Sequence, residues 1–177
     1  MTRAIDEDLT GVVASAAAGD EVAFGQIVGA HHDDMRRVCV FITRQEALAD
    51  DALQAAWMIV WRKLGSLREA ARLRPWLVSI AANEAKKLVK KRGRRSQLEV
   101  ATVATDEPVG VDTTTGVDAI DLHAALLRLE PDDRALLAMR YVAGFDSNEL
   151  AIAIGISPSG TRNRLERLRA RLRQELE

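Results

Sequence analysis

From Ser96 to Val117 the chain reads SQLEVATVATDEPVGVDTTTGV, with two glycines, a proline, five threonines, no basic side chain, and five acids counting on to Asp118. No apolar residue recurs there at a helical or strand period. A segment of that kind is a linker by composition, long for a loop inside a compact domain and acidic enough to resist collapse. The flanks are helical in pattern on both sides. The sequence therefore predicts an all-α protein of two small helical domains, residues 1–95 and 118–177, joined by a flexible acidic linker over 96–117.

In the first domain Asp20 is placed to cap a helix along which Phe24, Ile27, Val28, Met35, Val38 and Ile42 recur at helical spacing. A second helix carries Leu53, Trp57, Val60, Trp61 and Leu64 on one side, with both tryptophans read as core. Gly65 and Pro75 break the pattern before a third long helix from Trp76. At about 100° per residue, Leu77, Ala81, Ala85 and Leu88 of that helix form an apolar stripe, while Asn83, Lys86, Lys87 and Lys90 gather almost opposite. It ends on seven Lys or Arg residues with no acid after Glu84. Such a face is either a solvated surface or a site for a polyanion.

Charge patterning bears on that choice. The formal net charge is −1, yet residues 1–60 carry −6, 61–98 carry +10, 99–133 carry −8 and 134–177 carry +3. Two basic blocks behind two acidic ones suit a protein with one surface toward nucleic acid and another toward a different partner. Aromatics at 4% with abundant Ala, Leu and Arg disfavour β architecture. Cys39 is the single cysteine, and with His31 and His32 it lacks the spacing of a metal site. No nucleophile with a paired base and no glycine-rich phosphate loop is visible, so neither an enzyme nor a cofactor is expected. No signal peptide and no apolar run near ~18 residues is present, which predicts a cytoplasmic protein without membrane insertion.

In the second domain Pro131 splits two short helices, with Leu122, Leu126, Leu129, Leu136, Leu137 and Tyr141 as core candidates. Asp146 or Ser147 can cap a helix that stops at Gly155, and Ser157-Pro158 can start another. A short helix, a glycine-containing turn and a long basic helix describe a helix-turn-helix, or else a plain packed hairpin. Thr161, Leu165, Leu168, Leu172 and Leu176 share one face of the last helix, and Ser159, Asn163 and Arg167, with Arg164 beside them, lie opposite. An amide and a guanidinium there suit base edges in a major groove; Arg162, Arg169, Arg171 and Arg173 suit phosphates.

Taken in order, GDEVAFGQIV, ADDALQAAWMIVWRKL, RPWLVSIAANEAKKLVKKRGRR and LEPDDRALLAMRYVAGFDSNELAIAIGISPSGTRNRLERLRARL resemble the segments of an extracytoplasmic-function sigma factor of bacterial RNA polymerase. The resemblance covers nearly the whole chain. It implies that Asp50, Asp51 and Gln54 bind core RNA polymerase. It implies that Asn83, Lys86, Lys87, Lys90, Lys91 and Arg92 face minus-10 promoter DNA, and that Ser159, Arg162, Asn163, Arg164 and Arg167 face the minus-35 element. The loop GSLREAARLR corresponds to the family's base-capturing segment, and Trp76 either stacks on an unpaired base or, as favoured here, packs inside. An anti-sigma factor is a further partner of the family's regulated members. A free-standing helix-turn-helix regulator and a protein-binding helical adaptor remain the rival readings.

The chain departs from the pattern in three places. Ala55 replaces the acid that usually follows the glutamine, and Gly160 and Thr161 stand where a helix former and a Val or Ile are usual. A glycine there predicts a slightly frayed start to the last helix.

Overall fold

The computed structural model describes residues 2–98 and 117–176, with side chains for 9–95 and 122–176; the central part of the acidic stretch lies outside the described residues. Among the described residues the order is α1 (Thr2–Ala17), α2 (Glu21–Thr43), α3 (Glu46–Lys63), α4 (Leu73–Leu98), α5 (Val117–Arg128), α6 (Pro131–Leu137), α7 (Ser147–Ile154) and α8 (Pro158–Leu176). The sequence reading contained no α1, although Leu9, Val12, Val13 and Ala16 carry its helical spacing, and Val13 and Ala16 are buried.

Local chemistry sets the helix ends. The Asp20 carboxylate accepts from the amides of Val22 and Ala23 at 2.9 and 3.1 Å, satisfying two donors that have no partner within α2. That helix ends at Arg44, the one non-glycine residue with a left-handed backbone among those described, at φ 57°. Short 3₁₀ turns at 64–66 and 70–72 follow α3. α4 then starts at Leu73, earlier than expected, because Pro75 within the first turn gives up an amide that had no intrahelical acceptor.

In the N-terminal unit α2, α3 and α4 pack around fully buried Met35, Val38, Ile42, Val60 and Leu77. Ala49, Ala52, Ala56, Ala81 and Ala85 are also fully buried, and their small side chains let the helices approach closely. The Cys39 thiol donates to the Ala81 carbonyl at 3.7 Å, and burial pushes its pKa up to about 12, so it is an inert core residue.

In the C-terminal unit Pro131 opens α6, which runs into a π turn at Ala138–Val142. A reciprocal cap starts α7: Asp146 accepts from the amides of Asn148 and Glu149, and Glu149 accepts from the Asp146 amide. Gly155 ends α7 in the left-handed conformation, φ 72°, that an L side chain would strain. Asp146→Ala should therefore lower stability by about 1 kcal/mol in urea unfolding, while Asp146→Ser retains most of it.

Two core expectations fail here. Tyr141 is 50% exposed, because its ring lies at the surface under the Arg169 guanidinium, 5.4 Å from the centroid. Leu122 is 41% exposed, since the buried stripe of α5 runs through His123, Leu126 and Leu129 and leaves Leu122 at its edge. Leu176, at the end of the α8 stripe, is exposed as well.

The two units share one apolar core. α6 and the π turn lie against α2 and α4, and Leu136 and Phe145 are fully buried there. Arg74 ties the seam, donating through Nε to Asp34 at 2.8 Å and through Nη2 to the Ala143 carbonyl at 2.7 Å. Arg44, at the C-cap of α2, donates to Nδ1 of His123, and Arg134 of α6 is buried nearby; among the described residues the Nε groups of both arginines have no protein hydrogen-bond partner. Burial, and then Arg44, hold His123 below its ordinary pKa.

Candidate nucleic-acid interface

The basic face of α4 forms because its opposite side is locked into the core by Leu77, Ala81 and Ala85. Asn83, Lys87, Lys90 and Lys91 are exposed, and Lys86 is half-buried beside them. Lys87 donates to Glu84 at 2.6 Å on its own helix. Lys86 and Lys90, one turn apart, both reach the Asp132 carboxylate of α6, at 3.1 and 2.5 Å. The hydrogen bond from Lys90, followed by that from Lys86, keeps the Asp132 carboxyl below its ordinary range against the opposing effect of burial. A cleft of about 370 Å³ runs between these groups. The sequence left this face open to solvent; the structure covers part of it with α6. Arg92 donates to the Gln45 side chain at 2.5 Å.

The face of α8 is set in the same way. Thr161, Leu165 and Leu168 are buried, which directs Ser159, Arg162, Asn163 and Arg167 outward, all exposed. Arg167 donates to the Asn163 carbonyl at 3.3 Å, one turn back. Arg164 is turned aside and held by Asp133 through Nε at 2.9 Å and Nη2 at 2.6 Å.

The two departures in α8 have physical reasons. A Cβ on Gly160 would sit 3.2 Å from the Ser157 hydroxyl, the group that accepts from the Gly160 amide at 3.1 Å. Thr161 is fully buried and donates to the Ser157 carbonyl at 3.1 Å, filling the place of a β-branched apolar residue without leaving its hydroxyl unpaired. The start of α8 is capped rather than frayed.

A second surface lies on α3. Asp50, Asp51 and Gln54 are exposed, with Asp50 accepting from Arg36 at 3.2 Å. Beside them runs an open apolar groove of about 670 Å³, walled by Phe24, Leu53, Trp57, Met58 and Trp61. Trp61, expected in the core, is 41% exposed: it packs edge-on to Phe24, centroids 4.8 Å apart, and leaves its other side to the groove. Met58, 58% exposed, was missed because a lone methionine in an apolar run carries no distinguishing spacing. Trp76 is half-buried against the core and also lines a cavity of about 490 Å³ between the GSLREAARLR loop and α7.

Among the described residues no cluster of His, Cys, Asp or Glu has the arrangement of a metal site, and no helix is long and apolar enough to cross a membrane.

Known proteins align with these elements. The family profile for sigma-70 region 2 matches residues 27–95, and that for sigma-70 region 4 matches residues 119–172. A probable RNA polymerase sigma factor, RfaY of Xanthomonas campestris, is 31% identical over 171 residues, covering 91% of this chain; the chain spans 42% of that protein's length. The extracytoplasmic-function sigma factor SigM of Mycobacterium tuberculosis is 32% identical over 162 residues, covering 91% of this chain and 81% of SigM. Among solved structures, the sigma factor RpoE of Bartonella quintana, crystallised with the anti-sigma factor NepR, superposes with a TM-score of 0.71 at 25% identity, over 86% of this chain and 96% of RpoE. With both sigma regions matched in order on the two helical units, the chain belongs to the sigma-70 family, as an extracytoplasmic-function RNA polymerase sigma factor acting in promoter recognition and transcription initiation.

Proposed function

We propose a division of labour between the two units. The α4 face of Asn83, Lys86, Lys87, Lys90, Lys91 and Arg92, in a region 2 domain over residues 1–95, holds the strand-separated minus-10 element. α8, in a region 4 domain over 118–177, reads duplex minus-35 DNA through Ser159, Arg162, Asn163 and Arg167, with Arg164 joining them when Asp133 releases it. Asp50, Asp51 and Gln54 dock core polymerase, and the neighbouring apolar groove extends that interface. The action is binding rather than chemistry: contacts to unstacked bases and phosphates favour the melted strand, and nucleotide addition belongs to the polymerase. Cytoplasmic location follows from that role, and an anti-sigma factor of the kind seen with RpoE is a fitting inhibitory partner. What carries this reading is the outward, polar and basic face on one helix of each unit, each backed by a buried apolar stripe.

Run-off transcription with purified core polymerase tests it. Asn163→Ala or Arg167→Ala should change which minus-35 sequence is preferred, by about 1–3 kcal/mol for each bidentate base pairing removed. Arg171→Ala and Arg173→Ala should weaken all promoters alike. Relaxed preference in the second pair with none in the first would overturn the α8 register. Failure to associate with core polymerase would return the choice to a free-standing regulator.

A further inference from the structure

The first turn of α6 carries two adjacent aspartates, each engaged with a different basic helix. Asp133 grips Arg164 of α8 within its own unit. Asp132 reaches across the seam, one carboxylate oxygen 3.1 Å from Lys86 Nζ and the other 2.5 Å from Lys90 Nζ. Side chains one helical turn apart stand about 5–6 Å from each other, so one bidentate anion can bridge both ammonium groups. A DNA phosphate would present the same two-oxygen anion to the same two lysines. Asp132 keeps its proton off more readily than an ordinary carboxylate, which fits an anion held between two cations. Arg74 and Arg44, which also tie the units through Ala143 and His123, cross the seam elsewhere and touch neither lysine.

We propose that Asp132 is an intramolecular latch: it stands in for a DNA phosphate between Lys86 and Lys90 and so holds the C-terminal unit closed over the polynucleotide face of the N-terminal unit. The masking of DNA binding rests on the assignment of that face to DNA; the latch itself does not. Because the pairs are partly exposed, salt screens them, and rising ionic strength opens the molecule. Polynucleotide competes for the same two ammonium groups, so binding and opening are one equilibrium.

The test measures separation and binding independently on the full chain. Met58→Cys and Arg173→Cys place a fluorophore pair on exposed positions of the two units, and buried Cys39 does not react. Asp132→Asn keeps the side-chain shape and removes the charge. It should raise the open population about three- to tenfold, as expected for losing two partly exposed ion pairs, and flatten the salt dependence of the separation. Glu84→Gln removes an acid of the same cleft whose hydrogen-bonded partner, Lys87, lies on its own helix, and should leave the separation unchanged. Affinity for a short labelled single-stranded DNA should rise with the open population.

Should Asp132→Asn perturb folding, the charge exchange Lys86→Glu, Lys90→Glu and Asp132→Lys rebuilds the bridge with reversed signs. It should restore closure that Lys86→Glu with Lys90→Glu alone abolishes. A separation unchanged in Asp132→Asn, with or without tighter DNA binding, overturns the latch. A wider separation with unchanged DNA affinity upholds the latch and makes the α4 assignment the part that fails.

Discussion

Changing Lys86, Lys87 and Lys90 together to alanine should flatten the salt dependence of open-complex formation by about two to three units of log–log slope, while association with core polymerase is retained. Each lysine on a phosphate releases about 0.7 counterion from a single strand and about 0.9 from a duplex, which sets that range. At low salt, where those interactions matter most, opening should fall by one to two orders of magnitude, roughly the factor such a slope accumulates over a fourfold change in salt. The substitution leaves the core intact, because the buried side of α4 is carried by Leu77, Ala81 and Ala85. Open-complex assays at several salt concentrations, paired with a pull-down on core polymerase, check it. An unchanged slope removes these lysines from the DNA face.

Phe145→Ala should be the most destabilising single change in the seam, at about 3–5 kcal/mol, with a fall in Tm on the order of 10 °C. The ring is fully buried, and the Arg74 guanidinium lies 5.9 Å from its centroid. The backbone there is fixed on both sides: the Phe145 amide donates to the Met139 carbonyl at 2.9 Å, and its carbonyl accepts from Arg140 at 2.6 Å. Collapse into the cavity is therefore limited, and the loss should sit high in the range. Phe145→Leu retains most of the volume and should cost about 1 kcal/mol. Urea unfolding followed by circular dichroism measures both, and a loss below about 1 kcal/mol in the alanine variant would show that the seam repacks freely.

The elements of this fold could be read from the chain because each is written locally. Asp20, Asp146, Gly155 and Ser157-Pro158 mark helix ends through side chains acting on amides or backbone within four residues. The stripes Leu77, Ala81, Ala85 and Thr161, Leu165, Leu168 give the buried faces, and with them the outward residues opposite. What could not be read is set by tertiary approach. Asp132 meets Lys90 across 42 positions of sequence, and nothing near either residue announces the other. Trp61 looks like core by spacing and lies at a groove because α3 turns only part of that side toward α2 and α4. Gly160 is a weak helix residue by propensity, and only the Ser157 hydroxyl 3.2 Å from the position of its missing Cβ explains it.

Arg44 and Arg134, one half-buried and the other buried, face one another as like charges across the seam and give the closed molecule a built-in tension. Burial holds both guanidinium groups below their ordinary pKa, and the Arg44 charge adds to that effect on Arg134, so closing the seam costs solvation and sets like charges against each other. Both charges regain solvation as soon as the units part. The seam is thus an adhesive joint set over a compressed spring: apolar packing and the Asp132 pairs close it, and arginine hydration drives it open. A ligand that separates the units works with that recoil, so the protein can be held shut firmly enough to stay closed and still respond to a binder of modest strength.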